Sequence, residues 1–187
     1  MLRGYHSGYL GSLEFPERWR RRLRPSATTL AMRAASIPLR TFEDAWEGEA
    51  ITNDLSGARA RMRGLDAPER TPEDAADVFL RLCATHDFVL FEHYLADEAG
   101  HARDGDAAEL ALTTFDRFAR RVVENKRDDL HVLVTSDHGN VEDLSTRSHT
   151  LHPVPVLYFG QSPEQVESIE TVADVGTSIL QLLGVEP

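Results

Sequence analysis

The stretch His131-Val132-Leu133-Val134-Thr135-Ser136-Asp137-His138-Gly139-Asn140 decides how this chain is read. Its first half is an apolar run of strand length. Its second half sets a carboxylate and an imidazole side by side where the strand runs out into a Gly-containing turn. Backbone requirements alone supply no reason for that pairing. His149-Thr150-Leu151-His152-Pro153 follows shortly afterwards, and together the two segments point to a metal site.

Outward from this point, helices alternate with short buried strands. Phe88-Val89-Leu90-Phe91 is a continuous apolar run of the kind found in strands buried on both faces. Between the two runs, Ala108, Leu112, Phe115, Ala119, Val122 and Val123 recur at helical spacing and predict a helix over about residues 106–125. Thr71-Pro72-Glu73-Asp74 combines a capping Thr, Pro at the first helical position and acids in the first turn. A helix is therefore expected to about Thr85, with Ala76, Phe79, Leu80 and Cys83 on one face. Ser26 can cap a helix through about Ala35, after a basic segment, Pro16 to Arg24, whose arginines read as a solvated face. Val154-Pro155-Val156-Leu157-Tyr158-Phe159 predicts another strand, at an edge or starting near Pro155. A last helix, from about Val172 to Leu183, stops at Gly184.

Strand, helix, strand in this order implies a right-handed crossover in a largely parallel sheet. Ligands of such sheets gather beyond the carboxyl ends of the strands. The expected organisation is one α/β domain over residues 1–187, with residues 1–70 mainly helical and residues 71–187 forming a metal-binding core.

The 187 residues, 41% hydrophobic and 27% charged, describe an ordinary globular chain with enough apolar side chains for a real core. A formal net charge of −11 argues against a nucleic-acid partner. An anionic substrate would need a local source of positive charge, which bound divalent cations can supply. No apolar run approaches the roughly 20 residues of a membrane helix, and the opening residues lack a signal-peptide core. The single cysteine, Cys83, excludes an internal disulfide and reads as a packed residue of a cytoplasmic protein.

Asp97 and His101 fall just past the first strong strand, and Asp137 and His138 just past the second. Two sets of ligand-type side chains thus reach one rim. In Asp97-Glu98-Ala99-Gly100-His101 an oxygen and a nitrogen ligand can meet one ion, with Gly100 allowing a sharp bend, and His149 can close the set. Mixed carboxylate and imidazole ligation suits Zn, Mn or Fe better than Ca. Asp137 and His138 would hold a second ion, and two ions about 4 Å apart form the clamp of many phosphoryl transfers.

Each residue also has a plainer reading: Asp97 as a loop or cap residue, His101 as a hydrogen-bonded histidine, Asp137 to Asn140 as a turn. Their convergence favours the metal. His93, His152 and Asn140 are candidates for supporting or substrate contacts. His86 and His131 read as solvated strand termini, and His6 as part of a poorly structured start.

Ser136-Asp137-His138-Gly139-Asn140, the Asp97-x-x-x-His101 spacing, and His149-Thr150 leading into Pro153-Val154-Pro155 resemble the alkaline phosphatase superfamily. Within it the chain is most similar to the metalloenzyme domain shared by cofactor-independent phosphoglycerate mutase and phosphopentomutase. Asp174-Val175-Gly176-Thr177-Ser178-Ile179-Leu180 resembles the C-terminal helix of that domain. The likeness runs from about Phe88 to Val185. It implies a three-layer sandwich with a largely parallel sheet, two divalent ions with Mn or Zn favoured, and a small phosphorylated substrate. Residues corresponding to Asp97, His101 and His149 hold one ion of the family's pair, and those corresponding to Asp137 and His138 hold the other. A further Asp and a Ser or Thr nucleophile complete the second site.

The chain departs from that pattern in having no Asp-Gly at the end of an apolar N-terminal strand and no evident Ser or Thr nucleophile. The expectation is a domain that lacks its first strand and nucleophile helix, with one complete metal site. Its catalytic residues are then unassigned. The leading function is a phosphatase- or phosphomutase-type phosphoryl-transfer domain, incomplete as it stands. The alternatives are a non-catalytic metal-binding pseudoenzyme or interaction module, and a one-metal hydrolase using metal-bound water. An open sheet edge would be hidden by self-association.

Overall fold

The computed structural model describes residues 26–186 and the backbone of residues 4–6. The basic segment from Pro16 to Arg24 lies outside the described residues. The chain divides into two compact units, Met1–Leu95 with Ala111–Val122, and Ala96–Leu110 with Val123–Pro187.

The first unit begins with β1 (Gly4–His6). Three short helices follow, α1 (Ala27–Ala34), α2 (Phe42–Trp46) and α3 (Ala58–Met62), then α4 (Pro72–Thr85) and β2 (Phe88–Leu90). Ser26 caps α1 by accepting from the Thr29 backbone N–H at 3.1 Å. Thr71 and Asp74 cap each other at α4: the Thr71 hydroxyl oxygen accepts from the Asp74 N–H, and the Asp74 carboxylate accepts from the Thr71 N–H, both at 3.1 Å. That reciprocal pair satisfies two of the donors a helix start leaves open. At the other end the His86 ring, Nδ1 3.0 Å from the Leu82 carbonyl, covers a terminal acceptor, so His86 serves the helix.

β1 and β2 pair in parallel, Gly4 with Phe88, Tyr5 with Val89 and His6 with Leu90. His6 is therefore part of a strand, a correction to the expectation of an unstructured start. Its partner is far away in sequence, which local reading cannot supply. Leu90 is 36% exposed, so β2 is not buried on both faces.

Ile51, Leu55, Leu82 and Val122 are fully buried in this unit, and each such side chain contributes about 1.5–3 kcal/mol relative to exposure. The long helix α6 (Gly105–Asn125) contributes residues 111–122 here. Its buried stripe is Ala108, Ala111, Phe118 and Val122, while Leu112, assigned to that face from the sequence, is 51% exposed. A 3.6-residue period allows either 111 or 112 to face inward, and the smaller residue does.

Arg117 forks onto Glu73 at 2.8 and 2.7 Å, and Arg121 onto Asp77 at 2.9 and 3.1 Å. Both rungs advance in the same direction along both helices, so α4 and α6 run parallel there. Phe79, Phe91 and Phe118 form an aromatic cluster beneath them, with centroids 5.2–6.4 Å apart.

The second unit contains α5 (Leu95–Ala102), β3 (Val132–Thr135), β4 (Val156–Phe159), a single 3-10 turn at Pro163–Gln165, and α7 (Val172–Leu182). α7 closes as expected, with Gly184 in the left-handed region at φ 66°. β3 and β4 pair antiparallel, Val132 with Phe159 through Thr135 with Val156. The described strands thus form two two-stranded sheets, one parallel and one antiparallel, where a single largely parallel sheet was expected. β4 starts directly after Pro155, whose missing N–H cannot join a ladder. His131, expected to be a solvated terminus, is half-buried: its Nδ1 and the Tyr158 hydroxyl share a hydrogen bond across the sheet, and the hydroxyl oxygen also accepts from the Ser162 N–H at 3.1 Å.

Candidate metal centre

The antiparallel pairing determines what meets at the site. The connection from residue 136 to residue 155 leaves and re-enters the sheet at the Thr135–Val156 end. Asp137 and His138 stand at its departure, and His149 and His152 near its return. One extra rung closes the loop: the Thr150 N–H donates to the Gly139 carbonyl at 2.9 Å. Gly139 must be glycine, because a Cβ there would lie 2.2 Å from the Thr150 hydroxyl and 2.6 Å from a Glu142 carboxylate oxygen. Across that rung the rings of His138 and His149 stack, centroids 3.5 Å apart and planes 14° from parallel.

Asp97 and His101 come from α5. Spaced four residues apart on a helix, they share a face. Gly100 is a helix residue and makes no bend, which corrects the reading from sequence. It is needed for proximity: a Cβ would fall 1.9 Å from the Asn140 side-chain oxygen. Asn140, only 4% exposed, donates its side-chain N–H to the Asp97 carboxylate at 2.6 Å and to the Asp97 backbone carbonyl at 3.3 Å. It holds the carboxylate from the outer side.

Asp97, His101 and His149 present three ligand-type atoms to one point. His101 Nε2 lies 3.4 Å and His149 Nε2 3.6 Å from Asp97 Oδ1, and the two nitrogens are 3.2 Å apart. Ligands bound at about 2.1 Å in tetrahedral directions stand about 3.4 Å from one another, so this triangle has the dimensions of one face of such a site. The tautomer fits too. His101 Nδ1 lies 2.6 Å from the Arg147 carbonyl, which can only accept, so Nδ1 carries the proton and the Nε2 lone pair is left for a cation. An imidazole fixed through its other nitrogen is the usual support of a metal-bound histidine. The donor set therefore fits a divalent ion.

His138 is close by, its Nε2 3.9 Å from Asp97 Oδ1 and 3.5 Å from Asp137 Oδ1. It lacks the support His101 has, because its Nδ1 is buried without a hydrogen-bond partner among the described residues. Asp137 is largely exposed.

His152 pairs with Glu142 at 3.2 Å. Glu142 was missed in the sequence, where nothing in its spacing marks it. Its carboxylate also accepts from the Asn140 backbone N–H at 2.6 Å and from the Thr150 hydroxyl. The Thr150 bond foremost holds its pKa below the ordinary carboxylate value. Arg103 braces the same loop, donating to the Leu144 carbonyl at 2.9 Å.

His93 belongs to the first unit. Its ring packs on Phe115 at 5.3 Å, and burial, opposed by the field of Asp54, pushes its pKa down to about 4. It is a neutral core histidine at ordinary pH, with no ligand-type partner among the described residues.

Part of the chain is similar to enzymes that act on phosphorylated sugars or acids by name. The chain is 35% identical over 109 residues to 2,3-bisphosphoglycerate-independent phosphoglycerate mutase of Colwellia psychrerythraea, covering 54% of this chain and 21% of that protein. It is 32% identical over 129 residues to the enzyme of that name from Serratia proteamaculans, covering 64% and 25%. To phosphopentomutase of Helicobacter pylori it is 33% identical over 102 residues, covering 54% and 24%. The chain thus spans about a quarter or less of the length of these relatives. No solved structure is a significant match. The family described as the Metalloenzyme superfamily matches residues 64–187, which include every residue of the cluster around Asp97. An α/β chain whose helix and strand-end loop converge two imidazoles on a carboxylate, and whose matched region covers well over half its length, belongs to the Metalloenzyme superfamily.

Proposed function

We propose that this chain is the metal-binding part of a divalent-metal-dependent phosphoryl-transfer domain of the phosphatase or phosphomutase type, acting on a small phosphorylated substrate. Asp97, His101 and His149 would hold one ion, and Asp137 and His138 would contribute to a second. The observation that carries this reading is the triangle of Asp97 Oδ1, His101 Nε2 and His149 Nε2, with the His101 tautomer set by the Arg147 carbonyl. The names of the relatives supply the reaction class.

When bound, Mn or Zn would neutralise and polarise the transferring group. The chain's own residues orient the ligands: Asn140 holds the Asp97 carboxylate, and the Gly139–Thr150 rung sets His149 beside His138. The net charge of −11 adds to the case, because a phosphate ester meets repulsion without local cations.

The fold proposed for the complete domain is the three-layer sandwich, supported by the parallel run of α4 and α6 and the parallel β1–β2 pair. Residues 71–187 would be its metal-binding core. The described helices include none long and apolar enough to cross a membrane, and a cytoplasmic protein is part of the proposal. So is association through a sheet edge, since Val156 and Leu157 on β4 are 38% and 49% exposed.

A non-catalytic metal-binding module is the second reading. It is favoured by the contrast between a supported His101 and an unsupported His138 Nδ1. Hydrolysis of p-nitrophenyl phosphate with added Mn2+ or Zn2+ separates the two. Turnover abolished by chelation and by Asp97→Asn supports phosphoryl transfer. Metal binding without turnover favours the module.

A further inference from the structure

We propose that Glu142 is a positioning residue of the metal centre, locking the two halves of the ligand-bearing loop so that His149 closes on Asp97 and His101. This rests on the reading of those three residues as metal ligands. Glu142 itself faces no ligand atom. Its two carboxylate oxygens reach opposite ends of the loop, one accepting the backbone N–H of Asn140 at 2.6 Å and the other accepting the hydroxyl of Thr150.

Each partner adjoins a candidate ligand. Asn140 lies two residues beyond His138 and bonds the Asp97 carboxylate at 2.6 Å. Thr150 follows His149 directly and forms the backbone rung to Gly139. One side chain therefore ties the segment that orients Asp97 to the segment that delivers His149. His152, at 3.2 Å from the same carboxylate, draws the returning strand into the lock.

Space has been left for this carboxylate. A Cβ on Gly139 would come within 2.6 Å of Glu142 Oε1 and 2.2 Å of the Thr150 hydroxyl, so the loop forgoes a side chain where the lock sits. An exposed acid merely solvating a loop would need neither two inward acceptor bonds nor that vacancy. Alanine at 142 removes both acceptors, whereas glutamine could still accept from the Asn140 N–H and donate its N–H₂ to the Thr150 hydroxyl, so alanine is the substitution that opens the lock.

The test is calorimetric titration of Zn2+ or Mn2+ into the metal-free full chain and three variants, Glu142→Ala, Thr150→Val and Thr150→Ser. The melting temperature of each metal-free protein serves as the control. Glu142→Ala and Thr150→Val should each bind metal about tenfold more weakly, as loss of an outer support typically does. Their metal-free melting temperatures should stay at the wild-type value. Thr150→Ser, which keeps the hydroxyl, should restore the affinity. Unchanged affinity in Glu142→Ala, or a Ser variant as weak as the Val variant, overturns the inference while leaving the metal site standing. A drop in metal-free melting temperature that matches the loss of affinity would show a general structural role and overturn it too. A wild-type chain that binds neither ion overturns the metal-site reading and this inference together.

Discussion

Asn140 and Gly100 act as one device at the residue scale. The amide needs a place beside Asp97, and the helix provides it by having no side chain at position 100. Gly100→Ala isolates that effect. Alanine is preferred over glycine in a helix interior by up to about 1 kcal/mol, so the substitution favours α5 itself. It nonetheless drives a methyl group into Asn140 and should weaken metal binding about tenfold or more. Equal affinity in the variant and the wild type, read by the same titration, would show that Asn140 does not set the Asp97 carboxylate.

His93 gives a second prediction at this scale. Its folded pKa of about 4 lies below the ordinary histidine value of 6.5 because burial disfavours the charged ring. The unfolded chain therefore takes up a proton as pH falls through 6.5, and the folded chain does so only near 4. Stability is unaffected above pH 6.5 and falls between 6.5 and 4, by about 3 kcal/mol in total. His93→Phe, packed against Phe115, should remove that part of the pH dependence in denaturant unfolding at pH 7 and pH 4.5. Identical slopes for both proteins would contradict a buried neutral histidine.

The helix ends at the scale of elements are written in single residues, and Thr71 is the clearest. Its hydroxyl and the Asp74 carboxylate satisfy two donors at the start of α4, so Thr71→Ala should cost about 1 kcal/mol in unfolding free energy. A loss indistinguishable from zero by chemical denaturation would mean that the capping pair is not formed in solution. Such ends were legible in the sequence because their partners lie three residues away: Ser26 with Thr29, Thr71 with Asp74, and Gly184 just beyond α7. Strand pairing was not legible. β1 pairs with β2 across more than eighty residues of chain, and β4 turns back on β3 although the element order suggested a parallel sheet.

The site divides along the same line. Asp97 and His101 could be seen because they follow a strand end as a closely spaced carboxylate and imidazole, although the helix that puts them on one face was not foreseen. His149 could be seen because the Asp137-His138-Gly139-Asn140 turn announced a ligand loop. Glu142 and the Arg147 carbonyl could not, since each depends on how that loop folds back on itself. Gly100 was noticed for the wrong reason: its freedom of conformation is unused, and only its lack of a Cβ matters.

A strongly acidic chain that gathers Asp97, Asp137 and Glu142 in one region accumulates negative charge at the scale of the whole molecule, and a divalent ion would relieve it. Any ion that binds only the folded chain stabilises it by mass action, about 2.7 kcal/mol at one hundred times its dissociation constant. Saturating Zn2+ or Mn2+ should therefore raise the resistance of the chain to denaturant, and chelation should reverse the gain. Ca2+, which prefers all-oxygen ligation, should do little. The exposed Val156 and Leu157 lead to an expected concentration-dependent association in sedimentation. A chain that stays monomeric at all concentrations would remove that part of the proposal.

The metal centre is tested by the metal content and binding isotherm of the purified chain beside those of His149→Ala. The wild type should bind Zn2+ or Mn2+ with an ion held through Asp97, His101 and His149, and the substitution should remove that ion and its stabilisation. A wild-type chain without bound metal, or a His149→Ala isotherm superimposable on the wild-type one, would contradict that ligand assignment.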